Sequence, residues 1–171
     1  MKKRLPILTV VATFMLTGCS GNECYENHSA LPLASFYSAS TLQQVSVQGL
    51  EIYGIGAPGD SILYTPQNLS QAYLPFRLWQ DSTSYVFSYV GLVSADGEDM
   101  QDVTVPSDTV TFRYKAKEWF VSPACGAMYF YDMEDVSHTS HLIDSISCNE
   151  MITNENVTNI KIFFRDVLAN E

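Results

Sequence analysis

Positive charge is scarce in this chain: nine lysines and arginines stand against nineteen aspartates and glutamates, and three of the nine are Lys2, Lys3 and Arg4. Residues 19–171 therefore carry 6 basic and 19 acidic side chains, a formal charge of −13. Such a balance repels phosphate backbones, and no basic stripe offsets it, so nucleic-acid binding is excluded. No long apolar run follows Leu16, which leaves no segment able to cross a bilayer as a helix. Helical periodicity is hard to find from Leu31 onward, and neither internal repeats nor a low-complexity linker is present. The G-x-S-x-G turn of a nucleophile elbow is absent, and the four cysteines, Cys19, Cys24, Cys125 and Cys148, are few enough to be considered one at a time.

What is present begins with an address. Three basic residues precede an apolar run from Leu5 to Leu16 and then small residues, the pattern of a secretory signal peptide. Its ending, Leu16-Thr17-Gly18-Cys19, resembles the lipobox of bacterial lipoproteins. That resemblance implies that residues 1–18 are removed and that Cys19 is diacylated on sulfur as the first mature residue, a membrane anchor that two or three acyl chains make stable. Ser20 stands where an Asp would signal inner-membrane retention. "SGNEC" offers only Glu23 as an acid, against the acidic run that surface export uses in some groups. The expectation is an outer-membrane lipoprotein facing the periplasm, with residues 19–27 as a lipidated tether and 28–171 as one β domain.

An exported compartment permits disulfides, and Cys24, Cys125 and Cys148 allow at most one intramolecular bridge. Cys24 with Cys125 is the preferred pairing, because it would staple the start of the domain to its second half across a long loop; Cys148 is the alternative partner. A free Cys24 in the tether is the competing possibility.

Alternation with period two dominates the remainder. In "DTVTFRYKAK", Val110, Phe112, Tyr114 and Ala116 face one way, and Thr109, Thr111, Arg113, Lys115 and Lys117 the other. "SYVFSYV" (84–90), "AMYFYDM" (127–133) and "NIKIFF" (159–164) also read as strands. In "QQVSVQGLEIYGIG" the apolar phase slips from Val45 and Val47 to Leu50 and Ile52, which predicts a β-bulge at Gly49. Turns are expected at 56–60, 66–68, 80–83, 96–99, 106–108 and 154–156. Many short strands at this spacing predict an antiparallel β-sandwich, with a small β-barrel as the alternative.

The succession "VQGLEIYGIGAPGDSILY", "AYLPFRLWQDSTSYVFS", "DTVTFRYKAKEWFVSPACGAMYFY", "VSHTSHLIDSISC" and "NVTNIKIFF" resembles a family of small lipoproteins of the Bacteroides group, a domain of unknown function. The resemblance covers roughly residues 24–165, and its most specific piece is "FVSPACGAMYFY" followed by "HT". It implies one compact exported domain and supplies no mechanism.

Candidate chemistry is thin. "GIGAPG" (54–59) has the spacing of a dinucleotide loop, but Pro58 and a strand-like "DSILY" follow where a helix is needed, so a turn between strands accounts for it. His138 and His141, near Asp132, Glu134, Asp135 and Asp144, are of metal-ligating type, yet on a strand an i, i+3 pair points to opposite faces. Asp96, Glu98, Asp99 and Asp102 crowd one loop whose carboxylates suit calcium, without the alternating ligands of a known calcium loop. Trp79, Trp119 and the ten tyrosines offer an aromatic platform for sugar or protein, although strand aromatics are mostly core.

Four triplets, Asp60-Ser61-Ile62, Asp81-Ser82-Thr83, Asp108-Thr109-Val110 and Asp144-Ser145-Ile146, resemble the O-glycosylation acceptor of Bacteroides-group exported proteins. Composition alone predicts on the order of 0.7 such triplets. Their hydroxyl residues, Ser61, Ser82, Thr109 and Ser145, are candidate acceptors, while Asp-Ser and Asp-Thr also favour turns. The combined expectation is a non-enzymatic accessory or protein-interaction domain with no cofactor, partnered by the membrane through its lipid and by an outer-membrane protein. A glycan- or calcium-binding module is the alternative, and the oligomeric state is left open.

Overall fold

The hydrophobic alternation is realised in a computed structural model that describes residues 30–57, 61–90, 107–122, 126–165 and 169–170. Eleven strands and no helix occur among these residues: β1 (Leu33–Ser38), β2 (Ser46–Gly54), β3 (Ile62–Leu69), β4 (Gln71–Tyr73), β5 (Ser82–Tyr89), β6 (Asp108–Ser122), β7 (Gly126–His138), β8 (Ile143–Cys148), β9 (Met151–Ile152), β10 (Thr158–Phe164) and β11 (Ala169–Asn170). They form two sheets. The smaller runs β4-β1-β10-β8; the larger runs β11-β2-β5-β6-β7-β9, with β3 on the far side of β2. The protein is an all-β sandwich, as its patterning predicts.

Each sheet turns one apolar face inward. Ala34 and Phe36 of β1 sit opposite Ile160 and Ile162 of β10, all fully buried, while Tyr37 and Phe163 pair on the outer face. On the larger sheet Val110, Phe112 and Tyr114 are fully buried, and Ala116 on the same face is half-buried. Phe36 meets Phe164 edge-on at 5.4 Å. Burial of these aromatic and branched side chains is the main favourable contribution to the fold.

The bulge predicted at Gly49 is present. Gly49 has φ +57°, the β2–β3 register shifts between Val47 and Leu50, and Val47, Leu50 and Ile52 are all fully buried. Opposite it, the Val90 N–H donates to the Gly49 carbonyl at 2.9 Å. A left-handed residue absorbs the extra position and returns the apolar side chains to the core face.

Two expectations are revised. The β1–β10 pair is parallel, whereas the other strand pairs described are antiparallel. Alternation looks the same along either strand direction, so it cannot report this. Here the side chain of Asn159 accepts from the Leu33 N–H at 3.2 Å, and Ser35 bonds Thr158 at 2.8 Å, fixing the register. The turn predicted at 66–68 lies inside β3. Pro66 is tolerated because β3 is an edge strand and its register against β2 shifts at this point, so the missing N–H interrupts no ladder.

Candidate interaction surface

Two groups of polar side chains in the larger sheet hold loops. Asp108 opens β6 with a fully buried side chain. One carboxylate oxygen accepts from the His141 N–H at 2.8 Å and the Thr139 hydroxyl at 2.9 Å; the other accepts from the Leu142 N–H at 2.8 Å, the Ile143 N–H at 2.9 Å and the Tyr89 hydroxyl at 3.3 Å. These bonds clamp residues 139–143, where the chain leaves β7 in one sheet for β8 in the other. Burial alone would raise the Asp108 pKa. The three backbone N–H groups and the Thr139 hydroxyl outweigh it and hold the carboxyl below its ordinary value. Burial and the adjacent Asp108 charge push the Tyr89 hydroxyl far above the tyrosine range.

The His141 ring nitrogen Nδ1 lies 3.2 Å from Asp108, a pairing that in other settings orients a general base. Here the carboxylate is already saturated by backbone donors, and the Thr139 hydroxyl both donates to it and accepts from the Thr109 N–H at 2.9 Å. The arrangement serves architecture. His138 instead places Nδ1 2.8 Å from the Thr139 carbonyl. Among the described residues no three His, Cys, Asp or Glu side chains come together as a metal set.

A second group secures the loop between β4 and β5. Three tyrosines on adjacent strands capture three successive carbonyls: Tyr85 of β5 donates to Pro75, Tyr131 of β7 to Phe76 at 3.4 Å and Tyr114 of β6 to Arg77 at 2.9 Å. The Arg77 N–H answers with bonds to Tyr114 at 2.8 Å and Thr83 at 3.0 Å. Phe76 lies among the same rings, stacked on Tyr114 and edge-on to Tyr131. Sequence reading names these aromatics as core and misses their shared role, because the loop residues they hold belong to no periodic pattern and lie 10, 37 and 55 positions away.

The exposed apolar groups lie elsewhere. β5 accompanies β6 only from Asp108 to Arg113, whereas β6 and β7 remain paired to Ser122 and Gly126. Beyond Tyr114, among the described strands, only the short β9 accompanies them, at Tyr131 and Asp132, and past it the two strands run on as a ribbon. Lys115 pairs with Glu134 and Lys117 with Asp132 on its outer face. Past these ion pairs come Trp119, 61% exposed, and Phe120, 66% exposed. The Trp119 ring lies 6.2 Å from that of Phe130, and Trp119 is paired across the ribbon with Met128. At the neighbouring rung, Glu118 opposite Tyr129, the Ala30 N–H donates to the Tyr129 carbonyl at 3.0 Å, which places Ala30 beside the aromatic end of the ribbon.

The candidate residues named from the sequence fall into three groups. Cys19, Cys24, Cys125 and the acidic set Asp96, Glu98, Asp99 and Asp102 lie outside the described residues. Ser61 and Ser145 are exposed, while Ser82 and Thr109 are half-buried within strands. Cys148, the alternative disulfide partner, carries a free thiol at the end of β8. It packs half-buried against the core, and burial pushes its pKa up to about 11. Gly54 ends β2 and Gly56, with φ +66°, forms the turn toward β3, where a dinucleotide loop would need a helix.

No curated protein and no solved structure matches this chain. A family model does match over residues 49–164, from the Gly49 bulge to the last buried residue of β10, and the chain therefore belongs to DUF6452, a family of unknown function.

Proposed function

We propose that this protein is a non-enzymatic interaction domain held by lipid on Cys19 at the periplasmic face of the outer membrane. The observation that carries the reading is the leader: basic residues, a short apolar run and Leu16-Thr17-Gly18-Cys19. Two further features support it. Ten residues separate Cys19 from Ala30, which is bonded to β7, so the tether is short. The buried side chains of Asp108 and Thr83 spend hydrogen bonds on loop backbone and on tyrosine hydroxyls. An anchored domain has a high local concentration, so a weak contact with a neighbouring outer-membrane protein suffices.

Intact-mass analysis of the mature protein should show acylation of Cys19, and crosslinking in cells should enrich one outer-membrane protein over a Cys19→Ser control. An unacylated Cys19, or identical capture by both forms, would overturn the reading. The same mass measurement reads glycosylation. Exposure favours Ser61 and Ser145 over Ser82 and Thr109 as acceptors, and a mature mass free of glycan removes that proposal.

A further inference from the structure

We propose that the end of the β6–β7 ribbon is a membrane-docking element, in which Trp119 and Phe120 enter the lipid interface beside the anchor. The inference rests on the lipid-anchor reading and adds an orientation to it.

Position is the first support. Ala30 is bonded at the rung of Glu118 and Tyr129, and Trp119 with Met128 forms the next rung, about 3.4 Å further along the strand. From Cys19 to Ala30 the chain can span at most about 36–40 Å. The lipid attachment is therefore nearer the aromatic end of the ribbon than the Asp108 end of β6, which lies ten residues from the rung of Ala30.

Chemistry is the second. Trp119 and Phe120 are consecutive on a strand, so their rings leave opposite faces of the ribbon. A folded protein partner covers one face; lipid surrounds both. Tryptophan favours the headgroup boundary, where its apolar ring is buried and its N–H stays wet. Charge fits the same depth. Lys115 and Lys117 are already paired with Glu134 and Asp132, and the exposed Glu118 marks the level at which the ribbon leaves water. A chain this acidic will not be drawn to anionic headgroups, so insertion must come from aromatic burial at a zwitterionic surface. Two or three acyl chains already secure residence, and the ribbon adds a second point of contact that stops the sandwich from rotating about its tether.

The chain contains two tryptophans, Trp79 and Trp119, so each can be made the sole fluorophore. Trp79 is 88% exposed in the turn before β5, which makes Trp79→Phe structurally mild. The lipidated full-length mature protein is reconstituted in phosphatidylcholine vesicles carrying brominated acyl chains. With Trp79→Phe, emission from Trp119 should shift to the blue and lose intensity to shallow bromines; with Trp119→Phe, emission from Trp79 should do neither. Adding Phe120→Ser should reduce the quenching of Trp119. Acylated, vesicle-bound protein whose Trp119 stays unquenched overturns the docking alone, as does equal quenching of both reporters. A mature protein lacking acyl mass on Cys19 overturns the anchor and the docking with it.

Discussion

Phe76 lies flat against Tyr114, with ring centroids 4.4 Å apart and planes 7° from parallel. Phe76 belongs to a connecting loop and Tyr114 to the centre of β6, so the stack joins a loop to the core of the larger sheet. Phe112 at 5.2 Å and Tyr131 at 5.3 Å complete the surroundings of Phe76. Deleting the ring leaves a cavity that the hydrogen-bonded tyrosines cannot collapse into. Phe76→Ala should cost about 3–5 kcal/mol, measured by urea unfolding. Tyr114→Phe keeps the stack but leaves the Arg77 carbonyl without its donor, at a cost of about 1–3 kcal/mol. A smaller loss for Phe76→Ala than for Tyr114→Phe would show that the loop is held by its carbonyls rather than by its aromatic plug.

Asp108 gives the fold an acid limit. Its carboxyl is held below the ordinary value of 3.8 in the folded state, so it binds a proton more readily when unfolded. Its contribution is therefore complete above the unfolded pKa of about 3.9 and is lost as pH falls through the folded value. Stability of the wild type should drop more steeply below about pH 4 than that of Asp108→Asn, which has no proton to take up. At neutral pH, Asp108→Ala leaves the N–H groups of His141, Leu142 and Ile143 without their acceptor and should cost about 3–5 kcal/mol. Parallel pH–stability slopes for wild type and Asp108→Asn would contradict the assignment.

How far the sequence reveals this fold depends on the range of the interaction. The inward face of β6 and the bulge at Gly49 are legible because both are local: one is a period, the other a slip in it. Pro66 misleads, since proline punctuates a central strand but not an edge strand, and only the assembled sheet says which β3 is. The Asp108 clamp is invisible because its partners lie 19 to 35 positions away. Aromatics divide for a similar reason. Tyr114 and Phe120 stand on the same face of the same strand, but β6 runs for 15 residues against β10's 7, and the part of the ribbon beyond the sandwich leaves Phe120 exposed. Relative strand length belongs to the sheets as built, and no window of the sequence contains it.

Cys148 should behave as an inert thiol. Burial raises its pKa from 9.0 to about 11, which lowers its thiolate fraction at neutral pH about a hundredfold. Iodoacetamide at neutral pH should therefore leave Cys148 unmodified in the folded protein and alkylate it after urea unfolding, as read by peptide mass spectrometry. Recovery of Cys148 in a disulfide-linked peptide from native protein would restore the alternative pairing.

Gly49 is the position at which the smallest substitution should have the largest local effect. Its φ of +57° lies in the left-handed region, which costs a residue with a Cβ about 1–2 kcal/mol. A Cβ at this site would also stand 1.8 Å from the Val90 carbonyl oxygen, on the backbone that bonds Gly49 from the other side. Backbone cannot swing away as a side chain can, so Gly49→Ala must prise β2 from the end of β5 or abandon the bulge. Abandoning the bulge shifts the phase and carries either Val45 and Val47 or Leu50 and Ile52 toward solvent. Both routes destabilise, and Gly49→Ala should lose at least about 2 kcal/mol in urea unfolding, with faster amide exchange at Val90. Gly56→Ala is the matched control: it shares the positive φ, but its Cβ would meet only the movable guanidinium of Arg77 at 3.8 Å. Equal losses at the two glycines would mean that left-handed strain alone sets the cost, and that the close approach of Val90 does not.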